Sequence, residues 1–158
     1  MKQFVHLENQ PYWDLNTVTS DEGRLYETPE GAKYPSVTTV TGWDKRWFFK
    51  KWREENPQES KRVLGRGNIF HEIVENYLNN KDPFAKENPS DYWNTYIESA
   101  KELFHILQDE LNKIDNIRVQ ETALWSKLLT LAGRVDCIAE YDGKLSIIDF
   151  KTSTKPKS

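Results

Sequence analysis

The chain has 158 residues and a mass of 18.6 kDa, a size that fits one domain around a single core. With 37% apolar and 30% charged residues it falls among ordinary globular proteins, and no run approaches the roughly 18 apolar residues of a membrane span. One cysteine excludes an internal disulfide, a Cys₄ zinc site and a cysteine-held iron–sulfur cluster. The opening "MKQFVHLENQPYW" has neither a signal core nor transit-peptide composition, so an intracellular, cytoplasmic protein is expected.

A net charge of −3 gives no overall pull toward nucleic acid, but the charge is uneven. Between residues 45 and 66 lie eight bases, Lys45, Arg46, Lys50, Lys51, Arg53, Lys61, Arg62 and Arg66, against the three acids Glu54, Glu55 and Glu59. A local stripe of this kind is what phosphate contact requires, although a solvated helix face would carry it too.

In chain order, "RLYETPEGAKYPSV" sets a turn at Thr28–Gly31 between two short β-type runs, which predicts a small hairpin. In "SVTTVTGWDKRWFFKKWREEN", Trp43, Trp47, Phe48 and Trp52 recur at roughly helical spacing until Asn56-Pro57 ends the pattern. Aromatics interleaved with bases suit single-stranded nucleic acid, whose bases stack on rings while cations track phosphates. The candidates are Lys45, Arg46, Trp47, Lys50, Lys51, Arg53, Arg62 and Arg66. Core packing is the competing assignment, expected for at least half of the tryptophans.

"GRGNIFHEIVENYLNN" repeats Ile69, Phe70, Ile73, Val74, Tyr77 and Leu78 at three and four, an amphipathic helix with His71 on its flank. Gly67 lies one turn before that histidine and would let another backbone or a substrate come close; Glu75 lies one turn after. "NPSDYWNTYIESAKELFHILQDELNKI" predicts a long helix with Ser90 as N-cap. Beyond Asn116 the period becomes that of strands: "IRVQETALW", then about 131–141, then 144–151. The expected fold is α+β, with N-terminal helices packed on a three-stranded antiparallel meander. We expect one domain over residues 1–158, with a hairpin and aromatic/basic segment over 1–66 and a helix–sheet core over 67–158. Apolar residues on both faces of the last two strands predict a sheet covered on both sides.

The most informative stretch is "GRVDCIAEYDGKLSIIDFKTS". Asp142-Gly143 suits a two-residue type I′ turn, which sets Tyr141 opposite Lys144 and, in the same register, Asp136 opposite Asp149. Their Cβ atoms would lie about 4.5–5.5 Å apart. Opposed like charges are relieved by a retained proton or by a divalent cation. All-oxygen ligation suits Mg²⁺ or Mn²⁺ rather than zinc. Lys151 adds positive charge at the rim without bridging the acids. The alternative is a salt-bridged surface hairpin; Ile138 and Ile147, on the same face, argue against full exposure. The turn at 126–130 gives no clear signal, so the orientation of Glu121 on the preceding strand stays open. Cys137 alternates into the core, and His6 and His105 are expected to be inert surface residues.

These motifs resemble those of the PD-(D/E)xK nuclease superfamily, in its RecB-type branch, and most closely the group of mitochondrial genome-maintenance and phage exonucleases. The matching parts are the Gly133-to-Asp136 and Asp149-to-Lys151 strands, the histidine helix "RGNIFHEIVENYL" and the opening "YPSVTTV". The resemblance implies metal-dependent phosphodiester hydrolysis of DNA, exonucleolytic on single-stranded ends, with Mg²⁺ or Mn²⁺ as cofactor. His71, Asp136, Asp149 and the Phe150 carbonyl would hold the metal. Lys151 would serve the attacking water, and Glu121 is a further catalytic candidate. The branch continues with a helix bearing a Q-x-x-x-Y motif, whereas this sequence ends seven residues after Lys151. We therefore expect a truncated form, or a sheet face covered by a second copy or a partner chain. The alternative function is a catalytically impaired nucleic-acid-binding or protein-interaction domain.

Overall fold

The computed structural model describes residues 1–8 and 12–152, so Ser153, the last residue of the "DFKTS" motif, lies outside the described residues. Strands β1 (Thr17–Ser20), β2 (Gly23–Glu27) and β3 (Lys33–Pro35) form a small antiparallel sheet in sequential order. The expected turn closes β2 onto β3, with the Thr28 amide donating to the Ala32 carbonyl at 2.8 Å. The additional strand β1 has no strong sequence signal.

Ser36 then caps the short helix α1 (Val37–Thr41), its hydroxyl accepting from the Thr39 amide at 3.0 Å. After a single 3-10 turn come α2 (Arg46–Glu55) and α3 (Pro57–Leu78). Pro57 does not merely end the aromatic helix; it occupies the start of the next one, where its missing N–H costs nothing. Helix α3 therefore runs unbroken across residues 66 and 67, where the sequence suggested a division. It tolerates glycine at 65 because α4 (Asp91–Leu111) comes so close there that a Cβ would lie 2.3 Å from the Tyr96 ring. Ser90 caps α4 as expected, accepting from the Trp93 amide at 3.2 Å.

Strands β4 (Ile114–Ser126), β5 (Leu131–Tyr141) and β6 (Lys144–Ile148) form the expected meander. Tyr141 pairs with Lys144 and Cys137 with Ile148, the register set by the Asp142-Gly143 turn, where both residues have positive φ. Helices α3 and α4 cover one face. Phe70, Ile73, Tyr77 and Phe104 pack there with Cys137, Ala139 and Phe150. Burial pushes the Cys137 thiol up to about 12, as befits a core cysteine.

The opposite face departs from expectation. Leu145 is 66% and Ile147 76% exposed, so among the described residues only one side of this sheet is fully covered. Ile147 therefore does not shield the acids. His6 is not inert either: residues 5–7 lie alongside β4, and its Nε2 is 2.6 Å from the Leu78 carbonyl. His105 is exposed, with its ring edge against Phe84. Among the described residues no helix is long and apolar enough to cross a membrane.

Candidate metal centre and active site

The β5–β6 register places Asp149 opposite Asp136, one rung past the last ladder pair, Cys137–Ile148. The β4–β5 register resolves the strand left open by the sequence. Gln120 pairs with Cys137 and Thr122 with Val135, so Glu121 lies opposite Asp136 from the other side. Three acids thus stand in one row across three strands.

Glu121 does not follow ordinary strand geometry. Its φ is +49°, a left-handed conformation costly for a residue with a Cβ, and it falls in mid-strand without a register slip. Arg134 holds it there, its Nε donating to Glu121 Oε2 at 3.2 Å, while Arg134 Nη1 lies 3.7 Å from Asp14. Desolvation opposes the charge on Arg134, but the bond to Glu121 outweighs it and leaves the guanidinium more basic than usual. Sequence reasoning did not single out Arg134. Its signal was alternation, since it lies two residues from Asp136 on the same strand and hence on the same face.

His71 enters from α3. Its Nδ1 lies 3.9 Å from Asp136 Oδ2, and its ring packs edge-on against Phe150. Donor atoms of His71, Glu121 and Asp136 all lie within 4.8 Å of one another. One imidazole and two carboxylates at that spacing fit a divalent cation. Glu121 belongs to the tight cluster with His71 and Asp136, and Asp149 stands beside it. Phe150 takes part through its amide, which donates to Asp136 Oδ2 at 2.8 Å, and through its ring.

Burial, then the hydrogen bond to Asp149, raises the Asp136 carboxyl to about 6. Burial also pulls Asp149 upward, but the bond from Asp136 and the Lys151 ammonium outweigh it, leaving Asp149 below its ordinary range. A proton shared between these carboxyls is what an opposed pair needs when no cation neutralises it. Lys151 stands at the rim and contacts one acid of the pair without bridging both. Its Nζ lies 3.2 Å from Asp149 Oδ2, and both side chains remain more than half exposed. Glu75 faces solvent for much of its surface, yet desolvation and the Glu121 charge raise its carboxyl. Gly67 does admit a close neighbour: a Cβ there would lie 3.4 Å from Thr152 Oγ1.

Two clefts meet at this row. One, of about 660 Å³, is lined by Asn68, His71, Glu75 and Glu121; the other, of about 700 Å³, by Leu124, Trp125, Ile147, Asp136, Asp149 and Lys151.

The basic and aromatic segment divides. Helix α2 has no buried residue, and Trp43 and Trp47 are exposed rather than in the core. The Arg46 guanidinium lies 3.6 Å from the centre of the Trp43 ring and 4.9 Å from that of Trp47; Lys50 lies 5.4 Å from the latter. A cavity of about 640 Å³ adjoins them, with Arg53 and Phe49 also in its wall. Lys45, in the 3-10 turn, is exposed. Lys51 and Arg62 are instead drawn into pairs with Glu55 and Glu59 along their own helices. Arg66 is buried, not part of an exposed stripe.

A histidine helix packed on an antiparallel meander that carries aligned acids and a D-x-K ending is the arrangement of a nuclease-type α+β fold. The sequence pattern of the PD-(D/E)XK nuclease superfamily matches residues 44–158, and the chain belongs to that superfamily. It is similar to the mitochondrial genome maintenance exonuclease 1 of Homo sapiens, 33% identical over 121 residues, which cover 77% of this chain and 33% of that protein. The corresponding Mus musculus and Xenopus tropicalis proteins are 31% and 32% identical over 78% of the chain. The chain spans between 33% and 38% of the length of these relatives.

Proposed function

We propose that the chain is the catalytic core of a Mg²⁺- or Mn²⁺-dependent deoxyribonuclease that degrades single-stranded DNA from its ends. The observation that carries this reading is the convergence of His71, Glu121 and Asp136 within 4.8 Å, with Asp149 opposite Asp136 and Lys151 bonded to Asp149. These residues would hold the cation, which when bound polarises a phosphate and acidifies its water. Asp136, freed of its shared proton, supplies the central carboxylate. Lys151, at the mouth of the cleft, orients the attacking water and offsets charge that develops on the phosphate oxygens. The exposed rings of Trp43 and Trp47 with Arg46 and Lys50 suit a flexible single strand, since stacking demands unpaired bases. The names of the relatives, which describe exonucleases, support digestion from ends.

The test is digestion of end-labelled single-stranded DNA with Mg²⁺ or Mn²⁺, beside Asp136→Ala and Lys151→Ala. The wild type should shorten the label progressively, and both variants should fail. Equal degradation by the variants would defeat the proposal.

A second reading, a nucleic-acid-binding or interaction domain with impaired turnover, is favoured by the Asp149–Lys151 pair, which occupies the ammonium outside the tight cluster. It predicts DNA retardation without cleavage. The exposed Leu145 and Ile147 surface suits coverage by a second copy, which light scattering would register as a dimer.

A further inference from the structure

We propose that Arg66 is the receptor for a phosphate group of the nucleic-acid strand, set into the seam beside the metal centre rather than on the exposed basic face. The inference rests on the nuclease reading for the identity of its ligand, and on the fold alone for the existence of an anion site.

Among the described residues four polar or charged ones are buried: Thr28, Ser36, Arg66 and Thr122. Three of them are satisfied, through Ala32 N to Thr28 Oγ1, Thr39 N to Ser36 Oγ, and Thr122 Oγ1 to the Gln120 carbonyl. Arg66 is not. It is 7% exposed, and its Nε is enclosed without a hydrogen-bond partner. Among the described residues no carboxylate lies within ion-pair distance of it. Glu59, the nearby acid one could invoke, is engaged by Arg62 at 2.9 Å. A buried guanidinium whose Nε lacks a partner carries a desolvation cost, which the Glu59 charge offsets only without a hydrogen bond; a bound anion would supply the missing partner.

The position suits a phosphate. Gly65 and Gly67 flank Arg66 at points where other parts of the fold come close, the Tyr96 ring of α4 at the first and Thr152 at the second. Thr152 directly follows Lys151, so the turn of α3 that carries Arg66 passes beside the end of the stretch that carries Asp149 and Lys151. Arg66 stands about 7.5 Å from His71 along the helix axis, near enough for a strand reacting at the acids to place a neighbouring phosphate there. A guanidinium presents a planar fork that matches two phosphate oxygens, which an ammonium cannot reproduce.

The experiment compares wild type with Arg66→Met, which keeps the stem and volume, and Arg66→Lys, which keeps the charge but loses the fork. Melting temperatures are read with and without inorganic phosphate. Binding of 5′-phosphorylated oligothymidylate is measured in EDTA, where no cleavage occurs, across a range of salt. We expect Arg66→Met to melt higher than wild type without ligand, because the unpaired charge is gone, and to lose the rise that phosphate gives the wild type. Its oligonucleotide binding should weaken about tenfold or more. The slope of log affinity against log salt should fall by about 0.7, one phosphate contact on a single strand. Arg66→Lys should lie between the two. An Arg66→Met protein that melts lower and binds DNA with unchanged affinity and slope would overturn the proposal, since the arginine would then be structural. Phosphate stabilisation that depends on Arg66, with unchanged oligonucleotide binding, would overturn the strand assignment in favour of a free anion. Loss of oligonucleotide binding in a protein whose wild type cuts nothing with metal would support the site while defeating the nuclease reading.

Discussion

Asp136 has two acidic neighbours, and they are held in opposite ways. Glu121 sits inside a paired strand, in a strained left-handed conformation, with Arg134 fixing one of its oxygens. Asp149 sits past the end of its strand, more than half exposed, and its bonds among the described residues are to Lys151 and the Asp136 carboxyl. One flank is preorganised before any cation or substrate arrives; the other can turn. Strain of this kind persists only where the surroundings over-determine it, and a cation-binding carboxylate is a reason for it to be kept. The exposed flank is also the one that carries the lysine.

The largest effect should come from the residue both flanks share. Asp136→Ala should abolish measurable Mn²⁺ binding by calorimetry and lower DNA cleavage by roughly 10³-fold or more. Retained cation binding would show that the row does not work as a unit. Lys151→Ala should cost roughly 10²–10⁴-fold in cleavage while leaving Mn²⁺ affinity no weaker, because it removes a positive neighbour. A fall in both would move Lys151 from chemistry to assembly of the site.

Next, Arg134→Ala should weaken Mn²⁺ binding by about 10- to 100-fold, the usual cost of losing a residue that orients a metal ligand. If the preorganised flank matters more, this loss should exceed that caused by Lys151→Ala; equal losses would erase the distinction.

The pH dependence follows from the raised Asp136 carboxyl. A group that holds its proton up to about 6 when folded, but only to about 3.9 when unfolded, stabilises the metal-free protein fully below the lower value. That contribution is lost as pH rises through about 6, so the metal-free melting temperature should decline between pH 4 and 7. Mn²⁺ affinity should climb over pH 5 to 7 as the competing proton leaves. A flat affinity profile would show that Asp136 is already ionised.

The smallest expected effect is on stability. Glu121→Gly should relieve the positive φ and raise the urea-unfolding free energy by about 1 kcal/mol in the absence of metal, while impairing cation binding. Destabilisation instead would mean that the Arg134 bond outweighs the backbone strain.

Much of this site was legible in the sequence because register is arithmetic once a turn is known. Asp142-Gly143 fixed the turn, and the facing of Asp136 and Asp149 followed from it. Glu121 was not legible in the same way. The residues from Lys127 to Thr130 carry no diagnostic turn dipeptide, and a left-handed glutamate has no signature in composition or alternation. Helix α3 was read short at its beginning because its apolar repeat starts only at Ile69, whereas its earlier turns pack through Gly65 against Tyr96. The exposure of Ile147 was misjudged for a related reason. Alternation gives the face on which a side chain lies, but not whether anything covers that face.

The first residues of the chain run parallel to β4, with Leu7 donating to the Ile117 carbonyl and Ile117 to that of Val5, both at 2.8 Å. Lys2 reaches the Ile114 carbonyl at 2.7 Å, and the Phe4 amide bonds to Asn80 at 2.7 Å. This short ribbon hems the outer border of the meander, which would otherwise offer a row of bare peptide groups for polymerisation. Phe4 anchors the ribbon, its ring buried edge-on against Tyr77, yet a short segment of this kind can be traded between molecules, each completing its neighbour's border with identical bonds. Concentrated, warmed samples should therefore accumulate exchanged dimers, and a bulky fusion at this end should alter the exchange.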